Sequence, residues 1–170
     1  MSTSKLKLSG AISAFPGCGK SFIFKNAEQY GLLPINYKER VMIEDSFVSY
    51  YAPTLFDSDS SHFDKDAFPN NYVRHIKEII NSFKDPTIFI SSHENVRQAL
   101  KSNNIQFTLV YPDISLKEEF IERYKERGSP EAFVNLMSNK WEDFIKDCEN
   151  DHTPNKIILQ SGQYLVDVLV

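Results

Sequence analysis

The chain contains only two cysteines, Cys18 and Cys148, which stand 130 residues apart with no CxxC spacing. That set builds neither a disulfide framework nor a thiolate metal cluster, and it points to free thiols in a reducing compartment. Long hydrophobic runs are missing too. No apolar stretch approaches the roughly 20 residues needed to cross a bilayer, and the N-terminus carries no secretory h-region. A cytoplasmic protein with no membrane partner is the expectation. Charge of one sign is equally scarce: 19 Lys and Arg against 23 Asp and Glu leave a net charge of −4, with no long run of like charge. A basic nucleic-acid-binding tail is thereby excluded, and a nucleic-acid substrate would need a local basic groove. Repeats at solenoid periods and Gly/Ser or Pro-rich linkers are absent as well, so residues 1–170 read as one domain. A hydrophobic content of 41% is sufficient to give a domain of that size a continuous core.

What the sequence does have is alternation between short apolar runs and helical patterns. Leu6–Ala14 reads as a first strand, followed by a helical stripe over Lys20–Tyr30 that includes Phe22, Ile23, Ala27 and Tyr30. Thr54–Phe56 is a short second strand ending at Asp57. Asn71–Phe83 places Val73, Ile76, Ile79, Ile80 and Phe83 at helical spacing. Thr87–Ser91 and Ile105–Tyr111 are β-branched and aromatic runs that read as buried strands, with a helix over about Asn95–Lys101 between them. Ser115–Glu126 and Glu131–Asp147 read as helices, with Ser115, two residues after Asp113, as N-cap and Gly128 as the break. Trp141 and Phe144 fall on a packing face of the second of these. Lys156–Leu159 makes a fifth strand and Gln163–Leu169 a final short helix. Strands alternating with helices favour an α/β fold with a mostly parallel sheet covered on both faces and ligands at the carboxyl ends of the strands. Residues 31–53 fit this scheme least well, and a helical excursion through Met42–Tyr51 is one reading of them.

The segment from Ala14 to Ser21, AFPGCGKS, matches the phosphate-loop pattern except that alanine takes the first glycine position. Glycines are required where consecutive amides curl around a phosphate, a lysine to reach the terminal phosphate oxygens, and a hydroxyl to hold Mg²⁺. Gly17, Gly19, Lys20 and Ser21 supply these parts, with Pro16 and Cys18 completing the cradle. The helix opening at Lys20 would add the positive end of its dipole. Cys18 reads as a small inert side chain, with a thiol activated at the helix start as the alternative.

Asp57-Ser58-Asp59-Ser60-Ser61 follows the second strand, putting two carboxylates two residues apart at the edge where strands deliver ligands. One carboxylate would hold Mg²⁺ while the other accepts the proton of an attacking hydroxyl; either Asp57 or Asp59 suits the base. Ser21 and Asp57 are the candidate metal ligands, and Asp59 the candidate acceptor contact. A carboxylate favours an alcohol acceptor, because a phosphate acceptor is gripped by arginines instead. His93, after the third strand, is a further candidate acceptor contact. Arg123 and Arg127 lie four apart on a helix that ends at Gly128, and segment 117–130 is a candidate lid that would neutralise charge developing in phosphoryl transfer. Arg74 and Arg97 are candidates for binding acceptor phosphates.

With these motifs in place the sequence resembles the P-loop nucleoside and nucleotide kinases over nearly its whole length, through AFPGCGKS, five strand candidates and the RYKERG segment at 123–128. Asp57-Ser58-Asp59 looks like the DxD of shikimate- and gluconate-kinase-type members, which phosphorylate hydroxyls. More narrowly, FPGCGKS, DSDSS, SSHENVR, LVYPD and RYKERG are similar to small phage-associated kinases that include the 5-hydroxymethyl-deoxyuridine DNA kinases. The resemblance implies a three-layer P-loop kinase fold with a five-stranded sheet in the order 2-3-1-4-5. It implies ATP and Mg²⁺ as donor and cofactor, held by Lys20 and Ser21. It also implies a nucleoside, nucleotide or hydroxymethylated pyrimidine acceptor, free or within DNA, whose hydroxyl lies near Asp57 or Asp59; a phage-encoded protein of this kind would work in the host cytoplasm. A deoxynucleoside monophosphate kinase and a non-catalytic nucleotide-binding regulatory module are the alternative readings.

Overall fold

The computed structural model describes residues 10–36, 54–58, 63–83, 85–152 and 155–169. Three short apolar runs form its centre: β1 (Gly10–Ala14), β4 (Thr87–Ser91) and β5 (Phe107–Pro112). In β1 the consecutive residues Ala11, Ile12, Ser13 and Ala14 are all buried. Successive strand residues point to opposite faces, so both faces of this strand are covered, as a parallel sheet requires. Flanking them are β2 (Leu33–Asn36), β3 (Thr54–Asp57) and β6 (Asn155–Leu159).

The sheet runs in the order β2-β3-β4-β1-β5-β6, and every pairing in it is parallel. This corrects the expectation of five strands in the order 2-3-1-4-5: the described residues form six, and the added one is the edge strand β2. Its four residues, LPIN, fall in the stretch that the hydrophobic pattern left unread. Pro34 offers no N–H to a ladder, which suits an edge and hides the strand from a pattern search. The helical excursion through Met42–Tyr51 lies outside the described residues, as does the first part of the expected strand from Leu6.

The α/β character is as expected, with several boundaries moved. The stripe over Lys20–Tyr30 divides into α1 (Lys20–Lys25) and a 3₁₀ turn, Ala27–Tyr30. Asn26 stops the helix, its side-chain amide donating back to the Phe22 carbonyl at 2.8 Å. Ile23 and Ala27 are buried, whereas Phe22 is exposed. α2 (Asn70–Ser82) buries Tyr72, Val73, His75, Ile76 and Ile79, and α3 (Glu94–Ser102) buries Val96, Arg97 and Leu100. After a 3₁₀ turn at Ile114–Leu116 comes α4 (Lys117–Glu126); the cap is the Asp113 carboxylate, which accepts from the Ser115 N–H at 3.0 Å, so the capping role moves from Ser115 to Asp113. Gly128, at φ +79°, lets the chain turn into α5 (Glu131–Glu149). α5 buries Met137, Trp141, Ile145 and Cys148. Trp141 donates its indole N–H to the Ile114 carbonyl at 2.8 Å and meets Phe15 edge-on, a core role. The last helix, α6 (Leu165–Leu169), is shorter than Gln163–Leu169. No helix among the described residues is long and apolar enough to cross a membrane.

Candidate functional site

Residues 15–19 leave the carboxyl end of β1 and are held there by the Phe15 N–H, which donates to Val110 of β5 at 2.9 Å. Gly17 and Gly19 adopt φ of +87° and +95°, the left-handed region that side chains resist. Space is closed as well. A Cβ on Gly17 would lie 2.9 Å from Tyr124 Cε1 and 3.1 Å from Phe120 Cδ2, and one on Gly19 would lie 3.1 Å from Tyr164 Cδ1. Both glycines are therefore demanded twice, by backbone angle and by the aromatic rings behind them.

Three consecutive carbonyls of this loop are each tied from far along the chain. Pro16 O accepts from the Tyr124 hydroxyl at 2.8 Å, Gly17 O from Arg123 Nη1 at 3.0 Å, and Cys18 O from the Leu165 N–H at 2.8 Å. In a trans peptide the N–H opposes the preceding C=O, so drawing these carbonyls toward α4 and α6 turns the Gly17 and Gly19 amides the other way. The Cys18 N–H instead closes a turn onto Phe15 O at 3.3 Å. Lys20 reaches back to the Ala14 carbonyl with its ammonium at 3.3 Å, and Ser21 is exposed in the first turn of α1. α1 has only six residues, so its dipole is small and the loop amides and Lys20 carry the site's positive character.

Cys18 is completely enclosed, and burial pushes its thiol up to about 12 against the lowering influence of Lys20 and Arg123. The inert reading of this residue fits; the activated thiol does not, because almost no thiolate exists at neutral pH.

On the acidic side, Asp57 ends β3, which is separated from β1 by β4 alone. Ser58 follows, buried, with its N–H on Phe89 O at 3.2 Å and its hydroxyl 2.9 Å from His75 Nε2. The Tyr72 hydroxyl donates to Ser58 O at 2.5 Å and accepts from the Ser91 N–H at 3.2 Å, while Ser13 Oγ donates to Ser91 O at 3.0 Å. The carboxyl ends of β3, β4 and β1 are thus joined side by side through Tyr72, Ser91 and Ser13. Asp59, with Ser60 and Ser61, lies outside the described residues. Tyr72 and His75 were missed by sequence reasoning; two polar aromatic groups on the buried face of the helix that follows the DSDSS motif were the available signal.

His93 stands at the start of α3 with Nδ1 2.5 Å from Ser91 Oγ. The residue is exposed, yet partial desolvation first, and then the charges of Lys20 and Arg97, hold its imidazole below the ordinary histidine value. His93 thus stands just beyond the carboxyl end of β4, the strand between β3 and β1. Among the described residues no group of three or more His, Cys, Asp and Glu side chains is arranged to hold a metal.

The arginines separate into three roles. Arg123 is nine-tenths buried, sandwiched between Phe120 at 4.2 Å and Tyr164 at 3.9 Å, with bonds to Gly17 O, Gln163 O and Glu119. It therefore sits behind the loop of residues 15–19, bonded to its backbone, where the sequence leads one to expect a charge on a lid closing over a triphosphate. Arg127 is exposed, bonded to Ser129 Oγ at 2.9 Å and lying over Tyr124 at 5.0 Å. Within the candidate lid 117–130, α4 is anchored by buried Phe120, Ile121 and Tyr124, leaving the Arg127–Gly128 turn exposed. Arg74 is exposed on α2. Arg97, by contrast, is enclosed, its guanidinium ion-paired with Asp147 and Asp151 and its Nε donating to Ser92 O at 2.9 Å. Each of its three nitrogens is bonded and the side chain is buried, so the expected contact of Arg97 with an acceptor phosphate is corrected to a structural ion pair joining α3 to the end of α5.

At the opposite end of the strands a groove of about 590 Å³ is lined by Gly10, Lys77, Asp85 and Asn104 among others, but it lacks a loop of this kind. No protein-family model matches the chain, and neither does any curated protein, so the reading of the site rests on its own residues.

Proposed function

We propose that the protein is an ATP-dependent phosphotransferase of the P-loop kinase type, acting at a hydroxyl on a nucleoside, nucleotide or hydroxymethylated pyrimidine base. The observation that carries this reading is the loop backbone: Gly17 and Gly19 in left-handed conformations, with carbonyls 16, 17 and 18 drawn back so that the Gly17 and Gly19 amides face outward beside Lys20. A polyanion fits such a cradle, and the rings of Tyr124, Phe120 and Tyr164 behind it leave no room for a side chain on either glycine. Donor phosphates would be held by these amides and by Lys20. Mg²⁺ would be held by Ser21 and Asp57 together with phosphate and water oxygens, and it would supply charge neutralisation on the triphosphate.

The acceptor side is favoured to take an alcohol. Arg97 is committed to Asp147 and Asp151, which leaves the monophosphate-kinase alternative with only Arg74 of its two arginines. Asp57, at the end of β3, and Asp59, two residues on, are the candidates to accept the hydroxyl proton. His93, neutral at neutral pH, can hydrogen-bond the acceptor from the β4 end.

The test is transfer from γ-labelled ATP to a panel of nucleosides, nucleoside monophosphates, 5′-hydroxyl DNA and DNA containing hydroxymethyl pyrimidines. Label on a hydroxyl acceptor, abolished in Lys20→Ala with the fold intact, is the expected result. Label in inorganic phosphate alone, or nucleotide-dependent binding of a partner without transfer, would favour the regulatory module instead.

A further inference from the structure

The turn between β6 and α6, residues 160–165, is built almost wholly from bonds to side chains and to the phosphate loop. Its amides are engaged one after another: Gly162 N–H on Glu119 Oε2 at 3.0 Å, Gln163 N–H on Gln160 O at 3.0 Å, Tyr164 N–H on Asp167 Oδ2 at 2.8 Å and Leu165 N–H on Cys18 O at 2.8 Å. Glu119 also accepts from the Ser161 hydroxyl at 2.6 Å. Behind this turn lies Arg123, whose two terminal nitrogens bond Gly17 O and Gln163 O, each at 3.0 Å, while Glu119 steadies it at 3.1 Å. One buried guanidinium therefore holds two backbone segments separated by more than 140 residues of chain.

We propose that Arg123 is a positioning residue that couples the phosphate loop to the 160–165 turn, so that filling the loop with a polyphosphate orders the turn, and ordering the turn favours the loop conformation that binds. The proposal rests on the triphosphate reading of the loop. Its physical basis is the planar fork of arginine, which fixes two carbonyls in one plane; a lysine ammonium at the same place keeps the charge but not that geometry. Coupling of this kind is reciprocal, since each segment is offered its partner in only one arrangement.

Inorganic tripolyphosphate with Mg²⁺ is the probe, because it carries no nucleoside that could touch the turn directly. Calorimetry gives its affinity, and amide hydrogen exchange at 162–165 reports order in the turn. In the wild type the ligand should slow exchange at those four amides. Arg123→Lys should bind about tenfold more weakly or worse and lose that slowing. Tyr124→Phe, which removes only the tie on Pro16 O, should bind more weakly yet keep it. Should Arg123→Lys fail to fold, Glu119→Gln carries the same comparison, loosening the turn while sparing the bond to Gly17 O, and the slowing should shrink. Undiminished slowing in Arg123→Lys, or in Glu119→Gln where that stands in for it, or slowing by ATP but not by tripolyphosphate, overturns the coupling while leaving the binding site standing. Absence of any triphosphate binding by the wild type overturns the reading of the loop itself, and the coupling with it.

Discussion

The ring of Tyr124 occupies the place that a side chain on Gly17 would need, with Cε1 2.9 Å from where the Cβ would stand. Gly17 is also at φ +87°, so Gly17→Ala is opposed by both backbone and packing. The left-handed conformation alone costs an alanine about 1–2 kcal/mol. Relief through a shifted loop would swing the Gly17 amide away from the cradle. Gly17→Ala should therefore lower unfolding stability by at least that amount and abolish tripolyphosphate binding. Urea unfolding and a binding titration check both; a variant as stable as the wild type would show that the ring does not enforce the glycine.

His93 and Lys20 give a second measurement. The imidazole is held down by partial desolvation, then by Lys20 and Arg97, so its NMR titration should have a midpoint below the ordinary value of about 6.5. Replacing Lys20 by Gln removes one positive neighbour, and the midpoint should rise. The stability linkage follows from proton binding: below about pH 6.5 the unfolded chain takes up the proton before the folded one does. The contribution of the neutral ring is thus complete above that pH and declines as pH falls toward the folded-state midpoint. A His93 midpoint indifferent to Lys20 would remove the histidine from the neighbourhood of the phosphate loop.

The parts of this molecule that follow from local chemistry were legible in its sequence. TIFIS at 87–91 is a continuous apolar run, and it forms a strand with those same bounds; AFPGCGKS carries the turn from a strand into a helix, as its glycines and flanking pattern lead one to expect. What escaped notice depends on contacts distant in sequence. Arg123 and Arg127, spaced four apart, look alike as letters, yet one is enclosed between Phe120 and Tyr164 and the other faces solvent. Arg97 reads as a candidate contact for an acceptor phosphate until Asp147 and Asp151, some fifty residues on, are brought against it. Strand β2 was hidden by Pro34, because an edge position rather than its composition makes it a strand.

The two thiols should be silent in the folded protein. Burial raises Cys18 to about 12 and Cys148 to about 11, so at pH 8 iodoacetamide should label neither on the time scale that labels a free cysteine. Labelling should instead proceed through opening of the fold and accelerate with urea. The same shifts predict falling stability at alkaline pH. The unfolded thiols ionise near the ordinary value of 9.0, whereas the folded ones keep their protons until pH 11–12, and across that interval unfolding is increasingly favoured. Rapid native-state labelling of Cys18 would mean that the phosphate loop opens far more readily than its three carbonyl ties suggest.

Arg97 distinguishes a structural cation from a substrate contact. Its guanidinium pairs with Asp151, whose side chain is fully enclosed, and with Asp147; Lys101 adds a further bond to Asp151 at 2.6 Å. Removing one member of a buried pair leaves the other charged in a poor solvent, a change that costs about 3–5 kcal/mol. Arg97→Ala should lose stability on that scale, softened by whatever Lys101 supplies to Asp151. Replacing the pair together, Arg97→Met with Asp151→Leu, removes the stranded charge and should recover much of the loss, giving a large coupling energy in the double-mutant cycle. At a temperature where Arg97→Ala remains folded, its KM for the acceptor should be unchanged, because the guanidinium is buried with each of its nitrogens already bonded inside the fold. A raised KM without loss of stability would return Arg97 to the acceptor site and strengthen the case for a phosphate-bearing acceptor.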